Sequence, residues 1–210
     1  MTEIGKLFTQ HKTDKCELHY DIPYQEHLPK IVGKLLEIGV WKGGGLRAFK
    51  DFYKGAGEFH GINYVFGNSD IPSQASFIKD GFICHEGYQQ DIDFLESIKD
   101  QFDVIIDDGS HHSDDQIATF KHMFKHNLSS GGLYIVEDLH CCTQSYWWNS
   151  INGFKNTFLG VALRVNKGGA WTSQMFSLED NKYFKSNVKK MILAGDRNES
   201  IAFIWKGYAD

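Results

Sequence analysis

The stretch Leu35-Leu-Glu-Ile-Gly-Val-Trp-Lys-Gly-Gly-Gly-Leu46 (LLEIGVWKGGGL, 35–46) changes character twice. KLLEIGV (34–40) is a short apolar run of strand length, a glycine-bearing turn follows, and GLRAFKDFYK (45–54) carries apolar residues at helical spacing. Strand, glycine turn and helix in that order open an α/β sheet, whose ligands bind outside the carboxyl ends of the strands. Gly39 lets backbone approach a ligand closely, and Gly43, Gly44 and Gly45 relieve crowding where the helix begins. An ordinary βα turn has the same appearance, so the rest of the chain decides.

The same alternation continues downstream. EFHGINYVF (58–66), GFICHEG (81–87), FDVIIDD (102–108) and GGLYIVED (131–138) read as strands. SQASFIKDG, DIDFLESIKD and SDDQIATFKHMFKHNL between them read as helices, which predicts a mostly parallel sheet covered on both faces. The ending breaks the rhythm: NVKKMILAG (187–195) and SIAFIWKGY (200–208), joined by DRNE, predict a C-terminal β-hairpin with one strand antiparallel in the sheet. Residues 1–30 are expected to form a helical segment, and 139–178, rich in Cys, Trp, Asn, Gly and Ser, a lid or substrate segment. Trp147, Trp148 and Trp171 in that segment either cover a site and stack on its ligand or simply pack in the core.

The bulk numbers fit this reading. A chain of 210 residues suits a single α/β domain over 1–210, and 41% hydrophobic residues with three prolines allow a sizeable core. A net charge of −5 argues against a nucleic-acid partner held by a basic surface. No apolar run is long enough for a membrane span, and the N-terminus lacks the apolar stretch of a signal peptide, which predicts a cytoplasmic enzyme. Cys16, Cys84, Cys141 and Cys142 show no C-x-x-C spacing and read as free thiols.

Two features carry chemistry. The first is the glycine turn, where E-x-G-x-x-x-G differs from G-x-G-x-x-G and no phosphate-cradling lysine follows. Glu37 suits a cationic ligand better than a phosphate, one with an amino group and a sulfonium. The pattern resembles the first motif of class I S-adenosylmethionine (SAM) methyltransferases. In that fold an acid at the end of the second strand usually receives the ribose hydroxyls; here that strand ends in Asn63, which keeps an acceptor oxygen but no charge.

The second is acidic. FDVIIDD ends in Asp107 and Asp108, GGLYIVED in Glu137 and Asp138, and parallel strands bring both ends to one edge of the sheet. Carboxylates so gathered repel unless a cation or protons compensate, and a hard divalent cation, Mg²⁺ or Ca²⁺, is the natural partner. His111 follows three residues after Asp108, with an ordinary pKa suited to a general base. His112 is the weaker candidate, and His122 and His126, flanked by lysines, read as a solvated helix face.

TDK (13–15) with HY (19–20), LLEIGVWKGGGL, FDVIIDDGSHH and GGLYIVEDLH together resemble the metal-dependent sugar O-methyltransferases of the macrocin and mycinamicin type, with relatives in polysaccharide biosynthesis. The resemblance covers roughly residues 10 to 140 and implies a Rossmann-like class I fold with a seven-stranded sheet. It further implies Asp108, Glu137 and Asp138 as Mg²⁺ ligands and His111 as the base. Glu37, Gly39, Gly43, Asn63, Gln89, Asp107, Asp14, Lys15 and His19 are placed on the SAM side. Two positions depart from the family pattern: Asn63, and Tyr88 in HEGYQQ. The expected reaction moves a methyl group from SAM to a sugar hydroxyl of a glycan, nucleotide sugar or glycosylated natural product. Mg²⁺ would orient the acceptor while His111 takes the proton. Two other readings stand beside it: a non-catalytic binding or assembly subunit on the same fold, and metal-dependent hydrolysis without SAM. A small acceptor pocket that borrows walls from a second copy is compatible with a homo-oligomer.

Overall fold

The computed structural model describes residues 1–195 and 200–208. Seven strands form one sheet: β1 (Lys34–Ile38), β2 (Glu58–Asn63), β3 (Ile83–Glu86), β4 (Phe102–Asp107), β5 (Leu128–Val136), β6 (Val188–Ala194) and β7 (Ile201–Lys206). Their order is β3-β2-β1-β4-β5-β7-β6. All neighbours up to β5 pair in parallel, and β7 runs antiparallel to both β5 and β6. The C-terminal hairpin is therefore present; its DRNE connection lies outside the described residues. No helix of the described residues is long and apolar enough to cross a membrane.

Period-2 alternation in the central strands feeds two cores. Val104, Ile106, Leu133 and Ile135 face one layer, and Ile105, Tyr134 and Val136 the other. The first layer holds α1 (Glu3–Gln10), α2 (Asp21–His27), α3 (Gly44–Phe52) and α4 (Gln74–Lys79), whose Phe8, Tyr24 and Phe49 rings pack at 5.3–5.6 Å. The second holds α5 (Ile92–Ser97), α6 (Ser113–His126), α7 (Phe158–Asn166) and α8 (Leu178–Asn187). Polar side chains start several of these helices: Thr2 caps α1, Asp91 α5 and Thr157 α7, and Ser177 with Asp180 forms a capping box on α8.

Part of the irregular segment is ordered into helix and core. Residues 158–166 are not loop but helix α7, with Phe158, Leu159, Val161 and Ala162 buried; FLGVAL is apolar nearly all round because the helix lies inside the second core. Trp171 does not reach the site. It is buried against Phe120, Phe176 and Phe184 at 5.2–5.8 Å.

Candidate active site at the carboxyl ends of the strands

A cavity of about 680 Å³ opens at the carboxyl ends of the strands, around the β1–β4 junction where the strand order reverses. Gly39 after β1, Asn63 ending β2, Gln89 after β3, Asp108 and His111 after β4, and Asp138 after β5 all line it. Asp14 reaches it from the N-terminal segment.

The turn after β1 needs a glycine for two reasons. Gly39 has φ +86°, and a Cβ there would stand 2.0 Å from the Asp108 carbonyl oxygen. That contact lets β1 and β4 end side by side. Gly43, with φ +79°, starts α3 and packs against Phe77 rather than lining the cavity.

Gln89 and Asp107 shape the loop after β4. Gln89 is buried; its Nε2 donates to Asp107 Oδ1 at 3.0 Å, and its Oε1 accepts from the Ser110 backbone N–H at 2.6 Å. Asp107 lies behind the cavity wall, and burial pushes its carboxyl up to about 7. The pair thus holds DDGSHH in place, with Asp107 as support.

Beneath the cavity floor lies a charged knot. Lys15 is placed by a 3₁₀ turn, Asp14–Cys16, in which its own backbone N–H donates to the Thr13 hydroxyl. Its ammonium donates to Asp108 Oδ2 at 2.6 Å and Glu137 Oε1 at 2.7 Å, and lies 3.8 Å from Glu37 Oε1. Burial alone would lower the Lys15 pKa, but the three carboxylates outweigh it and raise it well above the ordinary value. Burial pushes the carboxyls of Glu137 and Glu37 up, Glu37 to about 7, and the Lys15 ammonium works against that shift in both. Tyr24 donates a short hydrogen bond to Glu137 Oε1.

Glu37 does not line the cavity. Its carboxylate rests on Gly45, where a Cβ would stand 2.1 Å from Oε1, and accepts from the Leu46 N–H at the start of α3. His19, at φ +57°, also lies outside the lining.

At the cavity itself, Asp108, His111 and Asp138 each offer one ligand atom, all within 4.8 Å of one another. His111 Nε2 is 3.4 Å from Asp138 Oδ2, and its buried Nδ1 has no hydrogen-bond partner. The Tyr20 hydroxyl lies 2.8 Å from Asp138 Oδ1. His111 (φ +59°), Asp138 (φ +55°) and Trp41 (φ +40°) are all left-handed, a costly backbone that collects at functional sites. The Trp147 ring packs 6.2 Å from His111 and 5.2 Å from His112. Asp108 and Asp138, two partly exposed carboxylates, offer the oxygen donors that a hard divalent cation takes, with the His111 imidazole beside them free for proton transfer.

Three aromatic residues stand at the rim, of which the sequence had marked only Tyr88, as a departure from the family pattern. Trp41, Tyr64 and Tyr88 are more than half exposed yet line the cavity, and Tyr64 and Tyr88 stack with centroids 6.2 Å apart. Tyr24 was missed as well. The i, i+4 pair Tyr20 and Tyr24 in HYDIPYQ, two tyrosines on one helical face, was the available signal.

No family model matches the sequence. Curated relatives do. Mycinamicin VI 2''-O-methyltransferase of Micromonospora griseorubida is 32% identical over 139 residues, covering 61% of this chain and 32% of that protein. 8-demethyl-8-alpha-L-rhamnosyl tetracenomycin-C 2'-O-methyltransferase of Streptomyces olivaceus is 30% identical over 158 residues, covering 69% of this chain and 39% of that protein. Its relatives are sugar O-methyltransferases. A solved methyltransferase of the mycinamycin biosynthetic pathway, in complex with Mg, SAH and mycinamycin VI, superposes with TM-score 0.72 at 24% identity. That match covers 98% of this chain and 55% of the other. The fold is thus that of the class I SAM methyltransferases, while the chain spans about a third of the length of these curated relatives.

Proposed function

We propose that this domain transfers a methyl group from SAM to a hydroxyl of a sugar on a glycosylated small molecule, with Mg²⁺ or a similar hard cation. The observation that carries the reading is the convergence of Asp108, His111 and Asp138 on the cavity at the β1–β4 junction. The names of the relatives support the chemistry.

Asn63, Gln89 and Gly39 line the part of the cavity assigned to SAM, with Trp41, Tyr64 and Tyr88 offering flat faces at its rim. Asp108 and Asp138 would hold the cation. Glu137 supports them from below, its Oε1 already engaged by Lys15 and Tyr24, so only its second oxygen is left for a ligand role. When bound, SAM supplies an activated methyl group and the cation lowers the pKa of an acceptor hydroxyl. His111 Nε2, beside Asp138, takes the hydroxyl proton as the oxygen attacks. Trp147 packs over His111 and His112 and keeps water from that face of the base.

The test is an assay of S-adenosylhomocysteine release with SAM, MgCl₂ and a panel of glycosides, rhamnosides among them. Turnover should need both acceptor and metal. Turnover undiminished by chelator would end the metal proposal, and no SAM binding by calorimetry under any metal condition would favour a non-catalytic subunit.

A further inference from the structure

The opposite, amino-terminal edge of the sheet carries a second ionisable cluster that the proposed reaction does not use. Lys34 begins β1 and Glu58 begins β2, and the parallel register sets them side by side. Asp100 joins them from the loop before β4. The Lys34 ammonium lies 3.0 Å from Glu58 Oε2 and 2.6 Å from Asp100 Oδ1. His60, two residues into β2, points into the same group, with Nε2 3.6 Å from Glu58 Oε2. One ligand atom each from Glu58, His60 and Asp100 lies within 4.8 Å of the others.

An ion pair with Lys34 accounts for the two carboxylates but not for the histidine. His60 is 1% exposed, and its Nε2 has no hydrogen-bond partner. A buried polar atom without a hydrogen bond is costly, and Glu58 Oε2 at 3.6 Å lies just beyond hydrogen-bond reach of it. The other ring nitrogen is engaged: His60 Nδ1 and His85 Nε2 are 3.1 Å apart, in stacked rings. If Nδ1 carries the proton and donates to His85, Nε2 presents a lone pair toward the carboxylates. A hydrogen bond from the other ring nitrogen is what fixes the tautomer and orientation of a metal-ligating imidazole. Burial lowers the pKa of both histidines, which favours the neutral, ligating form. Lys34 sits on a flexible stem with a third of its side chain exposed, and it can swing away.

We propose that Glu58, His60 and Asp100 form a second cation site, selective for a divalent transition ion such as Zn²⁺ over Mg²⁺, with Lys34 as the resident competitor and His85 orienting His60. Imidazole suits Zn²⁺ and Co²⁺, whereas Mg²⁺ prefers an all-oxygen shell. The site lies at the far end of the strands from the cavity and ties the starts of β1 and β2 to the loop before β4.

The experiment is calorimetric titration of ZnCl₂ into the metal-stripped full chain in excess MgCl₂, with CoCl₂ absorption as a second readout. One equivalent of Zn²⁺ should bind and persist in Asp138→Asn, which separates it from the cavity. Glu58→Gln and Asp100→Asn, at partly exposed positions that tolerate change, should each weaken it by about tenfold or more. His60→Phe should remove the visible cobalt band. Lys34→Ala should tighten binding, by roughly tenfold, because it removes a positive charge about 3 Å from the ligand oxygens. Zinc binding that is absent, that vanishes in Asp138→Asn, or that ignores Glu58→Gln would overturn the site. Unchanged or weaker binding in Lys34→Ala would overturn the competition. None of these outcomes depends on whether the cavity transfers methyl groups.

Discussion

Two lysines sit at opposite ends of one sheet, each gripping carboxylates at 2.6–3.0 Å, and their surroundings could hardly differ more. Lys15 is 2% exposed among Asp108, Glu137 and Glu37; Lys34 is 34% exposed between Glu58 and Asp100. The distances are alike, so the bond lengths do not rank the two knots. Solvent does. Charges withdrawn from water must be paired to be tolerated, and removing one partner strands the rest, whereas an exposed pair trades its partner for water at little cost. The buried knot is also the one that carries the candidate chemistry above it. Lys15 fixes Asp108, which lines the cavity, and Glu137, whose neighbour Asp138 faces His111.

The strongest challenge to that contrast is Lys15→Met. It leaves Asp108, Glu137 and Glu37 without their cation and should destabilise the fold by about 3–5 kcal/mol, read from urea denaturation. Adding Glu137→Gln should restore part of the loss. If the single variant melts with wild type, the three acids are neutralised by protons instead and the buried knot is not an ion cluster. Methyl transfer should fall below detection in the single variant, because Asp108 loses its anchor.

His111→Ala probes the chemistry above the knot without disturbing it. The His111 loop is held independently, by the Ser110 N–H donating to Gln89 and the Ser110 hydroxyl donating to Asp115. Turnover should drop by roughly 10²–10⁴-fold, the usual worth of a general base, with the melting temperature near wild type. A drop confined to KM would reassign His111 to acceptor binding.

An intermediate case is Asp180 on α8, which bridges Lys121 at 2.8 Å and Lys125 at 2.5 Å on α6. Burial alone would raise its carboxyl, but hydrogen bonds from both lysines and from Ser177 hold it well below the usual carboxylate range. The folded pKa is depressed, so its stabilisation is present at neutral pH and disappears as pH falls below about 4 toward the folded value. The urea midpoints of wild type and Asp180→Asn should therefore differ at pH 7 and converge as the pH is lowered through that window. A constant gap would mean the bridge contributes through α8 capping alone.

How much of this was legible in sequence follows the same physics. The strands and the parallel sheet were plain because apolar runs of strand length, bounded by Gly and polar residues, have few other readings. The acidic strand ends were visible because polar residues at the end of a buried run need a reason. Strand β5 begins at Leu128, three residues before the expected start, since Ser129, Ser130 and Gly131 look like a turn and the ladder to β4 is irregular there. Helix α7 was hidden because a helix buried on most sides loses its period. The least legible feature was the meeting of Lys15 with Glu137, 122 residues apart in the chain. Nothing local in TDKCELHY announces that its lysine will enter a carboxylate cluster. The same holds for Glu37, whose place under α3 depends on the missing side chain of Gly45.

The smallest effect belongs to Lys34→Met, and its smallness is the point. Hydrogen bonds donated to Asp100 and Glu58 raise the Lys34 pKa, so what it contributes is present at neutral pH and fades only as pH climbs through the lysine range. Water competes for the same groups, and added salt screens what remains; at about 1 M the Debye length is near 3 Å, no longer than the contacts themselves. The melting temperature of the metal-free variant should therefore match wild type within replicate scatter, at low salt and high. Glu58 and Asp100 become hydrated in the variant, and His60 Nε2, which Lys34 never satisfied, is no worse off than before. A loss comparable to that of Lys15→Met would show that burial is not what separates the two knots. Lys34 would then be a structural cation in its own right, too tightly bound to yield its place to a metal.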